Sequence, residues 1–279
     1  MQRDIVKELL YHFTSVESLV SMLKDYTPEN PYLTFWATHI SFMNDSSEYQ
    51  YGREICLKFI QKYQLDFIAE STKVSLTLTD QPIQTKLDNY VISFSSVCDT
   101  ASMWAMYAKN GSGIALVFNK ENLTEILRDK TLSLSPCLYP MNEDSLSVYR
   151  EDIKRTYYSN YEKLGDVDFG DLGDQMRILS AINFTLNPIL PIIKHPAFEY
   201  EKEVRLIFSD GKSPQYRFSN GHLIPYKKVH IPVNAIQSII VGPSLRTELD
   251  KVALKLYLQD KGLTNLSENI SVSQVPYRG

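Results

Sequence analysis

The chain has 279 residues, and its 29 basic and 33 acidic side chains give a formal net charge of −4, so no overall basic field favours nucleic acid. A hydrophobic share of 43% and a charged share of 22% are typical of a globular protein that is long enough to bury a core. The three cysteines, at positions 56, 98 and 137, give neither a disulfide framework nor a metal-ligand spacing, which suits a reducing compartment. No secretory signal opens the sequence and no apolar run reaches the length of a membrane span, so we expect a cytoplasmic protein without a membrane partner.

The first 120 residues predict alternating strands and helices. A strand over residues 9–13 runs directly into a helix that Thr14 or Ser15 caps. A second strand covers 32–38, and the segment Asn44-Asp45-Ser46-Ser47-Glu48 predicts a turn in which Asp45 caps a helix from residue 49 to about 70. The remaining elements are a strand over 90–95, a helix over 98–108 capped by Asp99 or Thr100, a turn over 110–113 and a strand over 114–118.

The second half continues the same mixture of elements. We predict strands over 132–139, 229–233, 236–241 and 270–273, a charged turn that runs into a strand within 198–208, helices over 147–163 and 175–186, and a loop over 211–221. A last helix carries its apolar residues on one face and ends at Gly262, and that face is formed by Leu245, Leu249, Val252, Leu256 and Tyr257. No repeat or composition shift marks a boundary, so one α+β domain over residues 1–279 is expected.

One charged strand start stands out within residues 198–208. Because side chains alternate along a strand, Glu201, Glu203 and Arg205 are predicted on one side, with the apolar residues of the segment on the other. Such a row is either a solvated edge whose charges pair with one another or a polar site on a sheet. The residues themselves leave both interpretations open.

Several short motifs occur in a specific order along almost the whole chain. They are Tyr11-His12-Phe13-Thr14, Trp36-Ala37-Thr38, Asn44-Asp45-Ser46-Ser47-Glu48, Ser93-Phe94-Ser95, Asp99 with Trp104 and Tyr107, Glu201-x-Glu203-x-Arg205, Val241-Gly242-Pro243 and Pro276-Tyr277-Arg278. In this order they resemble the bacterial family called domain of unknown function 2971. That family name supplies no activity.

A more distant resemblance is to the ADP-ribosyltransferase fold. His12 on a first strand, Ser93-Phe94-Ser95 on a later one and Glu201-x-Glu203 at the start of another follow the order found in that fold. The resemblance implies a mixed or antiparallel, split central sheet flanked by helices. It also implies an enzyme that cleaves NAD at the nicotinamide–ribose bond and transfers ADP-ribose to water or to a macromolecule, either protein or nucleic acid, as a toxin or phage-defence effector.

The resemblance also implies roles for individual residues, which we expect to face one cleft. Glu203, with Glu201 beside it, would stabilise an oxocarbenium-like transition state and hold the ribose 2′-hydroxyl. His12 would bond the ribose, and Ser93 would brace the glutamate. The remaining NAD contacts would come from Thr14, Ser95, Trp104, Tyr107, Lys194 and Arg205, with Trp104 or Tyr107 stacking on nicotinamide and Arg205 or Lys194 meeting the pyrophosphate. No metal is expected.

Three alternatives remain open from the sequence. The polar residues could form a network that only locks the sheet and helices together. A non-catalytic nucleotide-binding or sensor module would need only the pocket. A metal-dependent nuclease, the third alternative, could use Asp45, Glu48, Glu201 and Glu203 to hold a divalent cation.

Overall fold

A computed structural model of the chain describes residues 8–43, 48–62, 89–128, 132–168, 170–186, 188–219 and 221–276. The strands are β1 Leu9–Thr14, β2 Tyr32–His39, β3 Tyr90–Ser95, β4 Ile114–Asn119, β5 Leu132–Pro136, β6 Glu203–Phe208, β7 Gln215–Ser219, β8 His222–Pro232, β9 Ile236–Val241 and β10 Ile270–Val272. The α-helices are α1 Val16–Met22, α2 Glu48–Lys62, α3 Ala101–Tyr107, α4 Lys120–Leu127, α5 Arg150–Tyr161, α6 Leu172–Leu186, α7 Thr247–Asp260 and α8 Thr264–Glu268. Among these described residues, no helix is both long and apolar enough to cross a membrane.

The chain groups into two compact units. The first, which we call the sheet unit, comprises Met1–His39, Tyr90–Pro136 and Glu201–Gly279. The second, the helical unit, comprises Ile40–Asn89 and Cys137–Tyr200. The expectation of one domain over the whole length stays a prediction.

The ten strands of the described residues form one sheet in the sheet unit. The order β10-β9-β4-β1-β3-β2-β8-β7 forms the main path, and β6 pairs with both β3 and β5. Only the β9–β10 pairing is parallel within the described ladders, so the predicted α+β class with a mixed, largely antiparallel sheet flanked by helices is confirmed. Its likeness to the ADP-ribosyltransferase fold stays a prediction.

Strand β3 is the centre of this arrangement because it has neighbours on both edges. Along one edge it pairs with β6 over its whole length. Along its other edge β3 pairs with two strands. Tyr11 of β1 pairs with Ser95 at one end of this edge, and Thr38 of β2 pairs with Val91 towards the other end. Two strands therefore diverge from one edge of β3.

The two faces of the sheet carry different side chains. The front face is the one on which Leu10, Phe35, Phe94 and Leu206 lie, and its core also includes apolar residues of α1, α4, α7 and α8. The opposite, back face carries a smaller apolar cluster in which Tyr11 and Phe13 of β1 pack with Trp104 of α3. The polar residues of β3 and β6 lie on this back face, as shown below.

The helical unit has a core of its own. Its buried residues come from α2, α5, α6 and the connecting turns, and they include Ile55, Phe59, Ile153, Ile178 and Ile182. Its helices confirm the elements predicted over 147–163 and 175–186, with bounds shifted by a few residues. The predicted cap Asp45, and the end of the predicted helix beyond residue 62, lie outside the described residues.

Two predictions about individual strands and helices are wrong. The expected loop over 211–221 contains strand β7, which forms a long antiparallel ladder with β8. On α7 the five apolar residues assigned to one face do not all share it, because Tyr257 packs against the front core whereas Leu249 is 63% exposed. By contrast, Ser15 caps α1 as one of the two predicted alternatives, since its side chain accepts from the N–H of Ser18.

Candidate functional site

Glu203 and Arg205 form a buried ion pair on the back face. The two residues are 4% and 1% exposed, and Nε and Nη2 of Arg205 donate to Oε1 and Oε2 of Glu203 at 2.9 and 3.1 Å. They alternate on β6 with Val204 and Leu206, which belong to the front core. The charges pair with one another as one interpretation proposed, but the strand is not a solvated edge.

Glu201 is held differently from the other two charged residues. It lies in the 3₁₀ turn Pro196–Glu201 rather than on β6, and Lys202, with φ of 43°, interrupts the strand alternation between Glu201 and Glu203. Its carboxylate accepts from the Tyr107 hydroxyl at 2.7 Å, and its backbone carbonyl accepts from Ser95 Oγ at 2.6 Å. Tyr107 and Ser95 therefore hold Glu201 in place just before β6 begins.

His12 lies on the front face. Its Nδ1 is 2.8 Å from the carbonyl oxygen of Ser93, and because a carbonyl only accepts, Nδ1 carries the proton. Its ring centroid lies 5.3 Å from that of Phe35 and 5.7 Å from that of Phe94. Burial lowers the pKa of His12 below its usual value, so the neutral ring is favoured. The imidazole thus supplies a hydrogen bond to β3 where β1 and β2 diverge.

The structure therefore places the three residues expected to face one cleft on neighbouring strands but not on one face. Ser93 is the cross-strand partner of Arg205, and antiparallel partners share a face, so Ser93 belongs with the ion pair. His12 contacts Phe94, which alternates with Ser93 and points the other way. The back face brings together Ser93, Glu203 and Arg205, and His12 does not join them.

The other predicted ligand-binding residues also have definite positions. Trp104 is fully buried, donates from Nε1 to Asp99 Oδ1 at 2.7 Å and packs edge-on against Phe13, so its ring offers no open face for nicotinamide. Thr14 is 9% exposed at the end of β1. Lys194 lies in the helical unit, where its ammonium is 5.0 Å from the ring centroid of Phe198.

Asp99 does not cap α3. Thr100 is the N-cap residue and makes no side-chain cap bond. Asp99 instead accepts hydrogen bonds from Trp104 and from Ser273 and the backbone N–H of Gln274. It therefore connects the start of α3 to the segment after β10.

Two buried polar atoms in the described parts of the chain have no hydrogen-bond partner, Ser93 Oγ and Arg217 Nε. Arg217 is on β7, yet its Nη2 donates to Thr38 Oγ1 of β2 at 2.9 Å and its guanidinium lies 5.7 Å from the Trp36 ring centroid. Thr38 and Trp36 alternate on β2 with Phe35 of the front core, so both are on the back face with Ser93. Native proteins pair nearly all buried polar groups, so each of these two atoms remains available to a water molecule or to a polar ligand.

An aromatic platform accompanies Arg217. Trp36 is 41% exposed, and its ring centroid is 4.7 Å from that of Tyr226, whose hydroxyl donates to Gln215. Burial lowers the pKa of Arg217 below its usual value, so a bound anion would stabilise its charge. Sequence reasoning noted Trp36 only as part of a family-like motif and missed Arg217, which lies in the segment expected to be a loop.

The fold and this face define an α+β protein whose open sheet carries a buried ion pair and an exposed tryptophan on its back face. The family described as "Protein of unknown function (DUF2971)" matches residues 103–206, a segment that contains Tyr107, Glu201, Glu203 and Arg205. The predicted resemblance to that family is confirmed for this segment. Comparisons with curated proteins and with solved structures find no match. Among the residues that the structure describes, no group of three or more His, Cys, Asp or Glu side chains could hold a metal ion.

Proposed function

We propose that this chain binds NAD on the back face of its sheet and cleaves the bond between nicotinamide and ribose, with Glu203 as the catalytic carboxylate. The observation that carries the proposal is that both orphan polar atoms, Ser93 Oγ and Arg217 Nε, share a face with the Glu203–Arg205 pair and the exposed ring of Trp36. ADP-ribose would pass to water or to a protein or nucleic acid acceptor. A cytoplasmic location belongs to the same proposal.

The chemistry of the face fits the parts of this dinucleotide. A flat ring can stack on Trp36, because aromatic faces accept such rings. Arg217, with a donor that lacks a partner, suits a pyrophosphate oxygen, which Arg binds well. Ser93 Oγ suits a ribose hydroxyl. In this assignment Trp36 takes the role expected of Trp104 or Tyr107, and Arg217 takes that expected of Arg205 or Lys194.

The proposed reaction needs one well-placed negative charge. The acceptor oxygen bonds to the ribose carbon as the carbon–nitrogen bond breaks, nicotinamide leaves with the bonding electrons, and the proton of the acceptor passes to solvent. Positive charge develops on the ribose, and Glu203 would stabilise it. Arg205 donates a hydrogen bond to each carboxylate oxygen of Glu203 and so fixes the orientation of the carboxylate. His12 supports β3 from the front face and does not contact the ribose.

A second candidate function, a non-catalytic nucleotide sensor, is favoured by the same ion pair. Arg205 neutralises Glu203 through two hydrogen bonds, and a neutralised carboxylate stabilises a developing cation less well. A sensor would need only the ring platform and Arg217. Catalysis and binding must therefore be measured separately.

The experiment combines calorimetric titration with NAD and an assay for released nicotinamide, with candidate acceptors and cell extract supplied. Glu203→Gln should retain NAD binding and slow turnover by about 100-fold or more, the usual scale for losing one electrostatic contact in a transition state. Arg217→Lys should weaken binding, whereas the control Arg155→Lys, at an exposed helical position, should not. Binding without release would establish the sensor, and the absence of both would refute both functions.

A further inference from the structure

Helix α7 is apolar on two opposite sides. Leu254 and Leu258 face the front core of the sheet unit. A second row, which we call the outer stripe, consists of Leu249, Val252 and Leu256 on the helix and Leu245 in the turn before it, and these side chains are 63%, 55%, 58% and 79% exposed. At 3.6 residues per turn the outer stripe lies roughly opposite Leu254 and Leu258, so it points away from the core. Packing within the sheet unit does not explain it.

The spacing of the outer stripe is that of a helix–helix seam. Its members follow one another at intervals of four, three and four residues, which is the a/d pattern of a coiled coil. A row of this kind pairs with a similar row, and contiguous exposed apolar surface marks interaction sites. A second copy of the chain supplies an identical row.

We propose that the outer stripe is the interface of a homodimer in which α7 packs antiparallel against α7 of a second copy. A two-fold axis beside the helix centre places Leu249 against Val252 of the second copy, and the reverse. The next layers then pair Leu256 with Leu245 of the second copy. Every member of the outer stripe is thereby covered by an apolar side chain of similar size.

The charges beside the outer stripe agree with this direction. Glu248 and Lys255 lie on the same flank of the stripe and form no ion pair within the described chain. Antiparallel packing places Glu248 opposite Lys255 of the second copy, and the symmetry creates this contact twice. A parallel pair would instead set Glu248 beside Ala253. Only the antiparallel arrangement gives both residues a partner of opposite charge.

The interface is small, which sets the concentration at which it should be seen. A seam of 12 residues is roughly 18 Å long at 1.5 Å per residue, and it covers less than the roughly 800 Å² per partner of a standard interface. The dimer should therefore dissociate in the micromolar range, at about 1 to 100 μM.

Sedimentation equilibrium over that concentration range tests the proposal on the full chain. Leu249→Ser and Leu256→Ser should each weaken dimerisation by at least about tenfold, because each removes apolar area from two symmetric layers. The control Phe218→Ser removes an apolar side chain that is 84% exposed on β7 and should leave the dissociation constant unchanged. Circular dichroism shows whether each variant is folded.

Charge exchange tests the direction of the helices with variants at exposed positions. Glu248→Lys and Lys255→Glu should each weaken the dimer, and the double exchange should restore it. A wild-type chain that stays monomeric up to about 100 μM, where an interface of this size should still associate, would overturn the proposal. So would a dimer that tolerates both Leu→Ser changes, since another surface or another occupant would then be responsible. A dimer that the double exchange fails to restore would overturn the antiparallel arrangement.

Discussion

Replacing Asp99 by Ala should destabilise the sheet unit by about 3 kcal/mol, because one carboxylate satisfies three donors. The largest part comes from Trp104, which is fully buried and donates from Nε1 to Asp99 at 2.7 Å. Without Asp99 this indole N–H has no acceptor in a place that water does not reach, at a cost of about 1–3 kcal/mol. Loss of the bond from the Gln274 backbone N–H, at 2.7 Å, adds about 1 kcal/mol. Asp99 also has φ of 32°, a region that Asp tolerates better than Ala.

The measurement is urea unfolding followed by tryptophan fluorescence. The chain has only two tryptophans, so a Trp36→Phe background makes Trp104 the reporter. Asp25→Ala, at an exposed turn, is the matched control and should change the unfolding free energy by no more than about 0.5 kcal/mol. Thr100→Ala should also have little effect, because Thr100 makes no side-chain cap bond. If Asp99→Ala behaves like the Asp25 control while Thr100→Ala costs about 1 kcal/mol, the residues have been assigned the wrong roles.

Two further predictions concern titration and reactivity. Because burial lowers the pKa of His12 below 6.5, the unfolded chain binds a proton more readily there, so stability is full above pH 6.5 and declines as pH falls through the lower folded-state value. As the pH is lowered, the unfolding free energy of wild type should therefore fall relative to that of His12→Gln, whose amide can still donate to Ser93. A difference between the two unfolding free energies that does not change with pH would contradict this. Of the three cysteines, Cys98 is exposed, whereas Cys56 and Cys137 are buried and burial raises the pKa of Cys56 to about 12. A thiol reagent should label one cysteine in the native chain and three in denaturant, and rapid labelling of a second native thiol would refute the assignment.

The sequence predicted the central strands correctly because the residue types that favour a strand lie within the strand itself. Strand β3 is rich in aromatic and β-branched residues, and its bounds Tyr90–Ser95 match the prediction. The turn after α3 was also predicted from its two glycines: Gly111 has φ of 87°, and a Cβ added at Gly113 would lie 2.3 Å from the Thr14 carbonyl oxygen. A strand such as β3 and a glycine turn such as this one depend on residues that are close in sequence, so the sequence alone can predict them.

The β7–β8 hairpin shows a signal that was present but not used. Asn220 and Gly221 form the dipeptide most typical of a tight hairpin, and Gly221 has φ of 81°. Polar residues and a proline around 211–221 favoured a loop, yet pairing with β8 stabilises Gln215–Ser219 as a strand. Because strand formation depends on a partner, the composition of the segment alone led to the wrong prediction. Arg217 was missed for the same reason.

The prediction for helix α7 was wrong for a different reason. Both of its sides carry leucine, so periodicity identifies the helix but not the side that packs against the sheet. Leu254 and Leu258 reach the front core, while Leu249 and Leu256 do not. The choice is made by the position of the whole helix on the sheet, which no local pattern contains.

The set of residues that form the candidate site depends on the register between strands, which local sequence patterns do not contain either. Alternation within β1, β3 and β6 is readable from sequence, but it does not say which sets meet on one face. The ladders pair Tyr11 with Ser95 and Ser95 with Glu203, so the odd-numbered residues of all three strands share the back face and His12 is excluded. A shift of one residue between β1 and β3 would have moved His12 to the other face. The three residues in the expected order are therefore compatible with two different arrangements, and in the observed register Ser93 and Glu203 share a sheet face with Trp36 and Arg217 instead of with His12.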